Sequence, residues 1–161
     1  MAQNSFVLTS NDVKDGETLP MAQVYHGCGG GNVSPHLAWS GAPEGTKSFA
    51  ITVYDPDAPT GSGWWHWQVF NIPADVTEIA TGASMKSIPA GVIENFSDYD
   101  EQGFGGACPP EGDPAHRYIF TVFALDVEKL PLSEKDSAAK VGFHLNAHKL
   151  ASASFTATYG R

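Results

Sequence analysis

The chain has 161 residues, a formal net charge of −9, 17% charged residues, and 17 glycines alongside 11 prolines. That describes one turn-rich globular domain over residues 1–161, long enough to bury a core, and it excludes collagen, coiled coil and wholesale disorder. The acidic balance, with no basic cluster to offset it, excludes general binding to a nucleic-acid backbone and disfavours anionic membrane surfaces, and no apolar run reaches the length of a membrane span.

Short strands between Gly/Pro turns dominate the chain. Phe49, Ile51 and Val53 alternate with Ala50, Thr52 and Tyr54, which predicts a half-buried strand. It ends at the turn cluster running from Asp55 to Gly63. A second strand runs from Trp64 to Ile72 and stops at Pro73. The stretch from Gly82 to Gly106 reads as loop with one short strand. Residues from Arg117 to Leu125 are aromatic and β-branched on both faces, which predicts a central strand covered on two sides. Ser133 and Asp136 then form a capping signal, and Ala138, Val141, Leu145 and Leu150 follow at roughly helical spacing. A last alternating strand, from Ser152 to Tyr159, closes the chain, with no helix after it. The fold class is mainly β, a sandwich with a peripheral helix.

Polar residues able to act together sit at strand ends. Asp55 closes the first strand, His66 lies among tryptophans in the second, and His116 and Tyr118 open the third. If adjacent strands pair, the end of one meets the start of the next at one rim. A carboxylate, imidazoles and a phenol beside apolar walls compose a small-ligand pocket. Charged imidazoles and a phenolic hydroxyl donate to an oxyanion, and a glycine-rich loop such as Gly105-Gly106 supplies backbone donors. Asp55 repels a bare anion unless it pairs with a histidine or with a cationic part of the ligand, so the set suits a zwitterionic head group.

Rival readings use the same residues. Asp55 alone reads as a turn carboxylate, His66 as a core histidine and the tryptophans as core. Cys108 with His116 resembles a nucleophilic pair, as in a hydrolase. His144 and His148 have the i, i+4 spacing of a metal-binding face but lack the Glu of a zinc-protease motif. Asp55, His66 and His116 resemble a metal-binding set, although a phenol and a Pro-Pro wall fit an anion better. No metal and no cofactor is called for. Cys28 and Cys108 suit either one disulfide or two buried thiols.

Several motifs, in order, resemble the phosphatidylethanolamine-binding protein family: Tyr54-Asp55-Pro56-Asp57-Ala58-Pro59, Gly63-Trp64-Trp65-His66-Trp67, Cys108-Pro109-Pro110-x-Gly112 and His116-Arg117-Tyr118. The run from Thr60 to Trp67, together with Asn32-Val33-Ser34-Pro35 and Leu150-Ala151-Ser152-Ala153-Ser154, resembles its bacterial YbhB/YbcL-type branch. The resemblance covers Phe6 to Tyr159 and implies a β-sandwich with a large antiparallel sheet, a smaller sheet and one or two peripheral helices.

It also implies a non-enzymatic pocket for phosphate, phosphorylated head groups or acidic side chains, lined by Asp55, His66, Gly106, Pro109, His116 and Tyr118. A cis X-Pro bond between Asp55 and Pro59, a Cys28–Cys108 bridge and a homodimer belong to the same expectation. Eukaryotic relatives inhibit kinases or proteases, so a protein partner of that kind is a further expectation; the bacterial branch is called Raf-kinase-inhibitor-like by analogy. Two departures stand out. Trp65-His66 replaces the usual histidine pair, and Cys108 stands where many members carry a small residue. A plain Met start without a signal peptide favours the cytoplasm, whereas the cysteine pair favours an oxidising space such as the periplasm, for a mature form.

Overall fold

The computed structural model describes residues 5–161. Within them the order is β1 (Val7–Thr9), β2 (Leu37–Ser40), β3 (Ser48–Asp55), β4 (Trp64–Pro73), β5 (Glu78–Ile79), β6 (Ile93–Glu94), β7 (His116–Leu125), α1 (Ala138–His148) and β8 (Lys149–Tyr159). Short 3₁₀ turns lie at Met21–Gln23 and His26–Cys28. The strands form a three-stranded sheet, β1-β2-β5, and a five-stranded sheet, β6-β4-β3-β7-β8. Every pairing is antiparallel. This is the expected mainly β sandwich with one large and one small sheet.

Burial explains why β3 lies at the centre. Phe49, Ile51 and Val53 pack with Leu8, Leu37, Trp39 and Ile79 of the small sheet in the main core. The Trp39 ring meets Phe49 edge-on, with centroids 5.4 Å apart. On the opposite face Ala50, Phe70 and Leu125 pack with Leu130 and with Val141 and Leu145 of α1. β3 is therefore covered on both sides, as is β4 from His66 to Ile72. β7, given that role from its sequence, buries Tyr118, Phe120 and Val122 but leaves Ile119, Thr121 and Phe123 half-buried. The cluster around α1 reaches Phe123 and Leu125 and does not extend to Ile119 or Thr121.

Two boundaries differ from the periodicity reading. The Ser133–Asp136 signal closes a turn of its own, with the Asp136 carboxylate accepting from Ser133 N–H at 2.7 Å. The helix starts later because Ser137 is its cap, accepting from Lys140 N–H at 3.1 Å. Leu150 belongs to β8, which follows α1 without a loop. Cys28 and Cys108, 80 residues apart, form a disulfide with Cα atoms 5.7 Å apart, as the resemblance implies. Among the described residues no helix is long and apolar enough to cross a membrane.

Candidate functional site

The register brings the motif residues together. Asp55 at the end of β3 lies opposite Trp64 at the start of β4, and Tyr54 lies opposite Ile119 near the start of β7. The end of the central strand thus sits between the beginnings of its neighbours. The β3–β4 register slips between Val53 and Tyr54, which pair with Trp67 and Trp65 and leave His66 without a cross-strand partner. Such a bulge re-aims a side chain. Here it sets the His66 ring against Tyr118, with centroids 5.3 Å apart, while Trp67 keeps its place in the core.

A cavity of about 420 Å³ opens at this rim. Its walls include Asp55, His66, Pro109, His116 and Tyr118, with Tyr25, Trp64 and Tyr99 as further aromatic surface. Tyr25 and Tyr99 stack face to face at 4.0 Å. Their hydroxyls are engaged: Tyr25 donates to Glu101 at 2.5 Å and Tyr99 to the Gly106 carbonyl at 2.7 Å.

The polar groups divide into paired and unpaired sets. Asp55 and His116 are each 3% exposed and bonded to one another, Oδ2 to Nδ1, at 2.7 Å. The other His116 nitrogen, Nε2, lies 2.9 Å from Asp113 Oδ2. An ionised carboxylate only accepts, so with both carboxylates ionised both ring nitrogens donate and the ring is an imidazolium. Burial alone pulls its pKa down, but the hydrogen bonds and charges of Asp55 and Asp113 outweigh burial and raise it above the ordinary value.

His66 has the opposite character. It is 3% exposed, and its Nδ1–H donates to the Gly105 carbonyl at 2.8 Å. Burial holds its pKa down at about 4, so the ring is neutral near pH 7 and Nε2 is an acceptor. That Nε2, the Tyr118 hydroxyl and Trp64 Nε1 are buried without a partner among the described residues. Burial also raises the pKa of Tyr118, keeping its hydroxyl a donor. The histidine roles therefore differ from the charged, oxyanion-donating imidazoles expected from the sequence. His66 is neutral, and both N–H groups of the His116 ring are taken by Asp55 and Asp113.

Gly106 is the one predicted site residue that the structure does not place on this cavity. It borders a small void behind it, between His66 and Tyr118. Its N–H donates to Asn32 Oδ1 at 2.7 Å, so it has no donor to offer. Glycine is required there because a Cβ would run into the Gln23 carbonyl and the Tyr25 nitrogen, where the two loops cross. The expected cis peptide is a second correction: there is none among the described residues, so every bond from Asp55 to Pro59 is trans. Side-chain bonds make that turn instead. Asp55 Oδ1 accepts from Asp57 N–H at 2.7 Å. Asp57 in turn accepts from the Arg117 backbone N–H, Nε and Nη2 at 2.9, 3.0 and 2.9 Å. The Arg117 hydrogen bond holds the Asp57 carboxyl down at about 2.

The remaining rival readings also meet geometry. The disulfide leaves Cys108 no thiolate, so it is not a nucleophile in this state. His148 bonds Asp126 at 2.9 Å, and among the described residues no group of three or more His, Cys, Asp or Glu is arranged to hold a metal. Sequence reasoning missed Tyr25, Tyr99 and Asp113, which come from loops without periodicity. Asp113, three residues before His116 in the motif segment, was the one within reach of a local reading.

An aromatic-walled cavity at one end of a two-sheet sandwich, with buried polar atoms on its wall, is the build of a small-ligand-binding β domain. The sequence profile of the phosphatidylethanolamine-binding protein family matches residues 9–160, and the chain belongs to that family. It is 54% identical to the UPF0098 protein YbcL of Escherichia coli K12 over 96% of this chain and 87% of that one. It is 52% identical to the UPF0098 protein YbhB of the same organism, over 94% of this chain and 98% of that one. The crystal structure of E. coli YbcL, described as a new member of the mammalian PEBP family, superposes with a TM-score of 0.94 at 53% identity, covering 97% and 98% of the two chains.

Proposed function

We propose that the cavity binds a small phosphorylated or carboxylated ligand and does not transform it. The observation that carries this reading is a pair of buried polar atoms, Tyr118 Oη and His66 Nε2, which have no partner among the described residues and belong to two side chains that line the cavity. Buried polar atoms are normally satisfied, so orphans of both kinds beside a cavity are what a ligand would complete. Tyr118 donates to an oxyanion. Neutral His66 accepts from a P–OH, a hydroxyl or an ammonium. A monoprotonated phosphate or a phosphorylated amine offers both complements at once, in keeping with the family's name. The absence of chemistry rests on the state of the two obvious actors. Cys108 is in a disulfide, and in the free protein both His116 nitrogens bond carboxylates, the inner one to buried Asp55.

Calorimetric titration with O-phosphorylethanolamine tests this. Tyr118→Phe is expected to weaken binding about tenfold, the worth of one hydrogen bond to a charged group. The variant should be at least as stable as the wild type, because it deletes a buried hydroxyl that has no partner in the free protein. Unchanged affinity in Tyr118→Phe would contradict the reading.

A further inference from the structure

We infer that Asp113 is a resident counter-anion on His116, with which an incoming oxyanion competes for the Nε2–H, and that it thereby sets how tightly the cavity holds an anion. This rests on the anion-binding reading above.

The two carboxylates on the His116 ring are not equivalent. Asp55 is buried, and its second oxygen is fixed by Asp57 N–H at 2.7 Å. The Asp113 side chain is 36% exposed, against 4% for His116. Asp113 sits in the turn after Pro110, where its N–H donates to the Pro110 carbonyl at 3.3 Å and Gly112 has φ of 88°. Rotation about its own side-chain bonds carries the carboxylate into water without moving β7. Asp55 has no such freedom. Hence Nε2–H is the one donor of the charged ring that an exchangeable group covers, and His116 is part of the cavity wall.

A carboxylate three residues from its partner competes at high effective concentration. An external monocarboxylate has the same chemistry as Asp113 and no advantage over it. A phosphate dianion carries more charge and more acceptor oxygens, and competes better. The covered triad of Asp55, His116 and Asp113 bears a net single negative charge, so removing Asp113 also turns local repulsion of the ligand into neutrality. Asp113 thus tunes affinity: competition lowers the binding of every anion by one common factor, and its charge adds a penalty that grows with the charge of the ligand.

The test is calorimetric titration of wild type, Asp113→Asn, Asp113→Ala and Glu111→Gln with inorganic phosphate and with acetate at pH 7. Glu111, 80% exposed two residues away, controls for loss of a nearby charge alone. Both Asp113 variants are expected to bind phosphate about tenfold tighter than wild type, with a gain for acetate that is no larger, while Glu111→Gln shifts affinity less than about twofold. Equal or weaker phosphate binding in the Asp113 variants, with wild type still binding, overturns the counter-anion role and leaves the anion site standing. An equal gain in Glu111→Gln overturns it too, by assigning the effect to the general field. Phosphate binding by none of the proteins at millimolar concentration overturns the anion-site reading, and the counter-anion role with it.

Discussion

Replacing both Cys28 and Cys108 by serine is expected to lower the unfolding free energy by about 4.5 kcal/mol, on the chain-entropy scale for a loop of this length. The bridge spans 80 residues, so the reduced unfolded chain regains nearly all the freedom that a long cross-link removes. A domain of this size holds about 5–15 kcal/mol in total, so the loss is a large share of it. The native contacts around the bridge are not enough to replace it. Tyr25 N–H donates to the Ala107 carbonyl at 2.8 Å, and Ala107 N–H to the Gln23 carbonyl at 3.2 Å. These two bonds hold the same two loops together but leave the unfolded chain unconstrained. Urea unfolding of the variant beside the oxidised wild type measures the difference. A loss below about 1 kcal/mol would mean that the unfolded chain is already compact around residues 28 to 108. Because both loops line the cavity, the variant should also bind phosphorylated ligands more weakly.

Asp55→Asn is expected to cost about 3 kcal/mol near pH 6, the range for breaking one side of a buried ion pair. Both side chains of the Asp55–His116 pair are 4% exposed, so water does not compensate for the missing carboxylate. The pH dependence has a definite sign. The His116 pKa is raised in the folded protein, against the opposing effect of burial, by Asp55 and Asp113. Below the ordinary histidine value of about 6.5 the ring is charged in both states, and the ion pair contributes fully. As pH rises through the raised folded value, the ring loses its proton in the native state as well, and that contribution disappears. What remains is a neutral N–H bonded to a carboxylate, worth about 1 kcal/mol. The stability gap between wild type and Asp55→Asn should therefore narrow from about 3 kcal/mol near pH 6 towards about 1 once the pH has passed the raised folded value. Denaturant midpoints across that range measure it. A gap that stays constant with pH would contradict the imidazolium assignment.

The strands that place the site were legible because each is long enough to show its period. β3, β4 and β7 have 8, 10 and 10 residues, and their ends carry the polar residues that meet at the rim. The small sheet was legible only through family resemblance: β1, β2 and β5 have 3, 4 and 2 residues, too few to establish alternation. The position of His66 depends on a bulge, and alternation alone predicts opposite faces for His66 and Trp67. The charge states were the least legible feature. They follow from which carboxylate reaches which nitrogen, and from the Gly105 carbonyl that fixes the His66 tautomer. Gly106 was drawn into the site by its motif, whereas its Cβ-free backbone serves the crossing with residues 23–25. Ser133 resembled a helix cap because Ser-x-x-Asp also closes a simple turn, and Ser137 sits four residues further on.

The most direct test of the binding cavity is a ¹⁵N amide-shift titration with O-phosphorylethanolamine. Saturable shifts concentrated at Trp64 to His66, Gly105 to Cys108 and His116 to Tyr118 are expected, with residues around α1 unaffected. No shifts at millimolar ligand, or shifts confined to the far side of the sheet, would contradict the account.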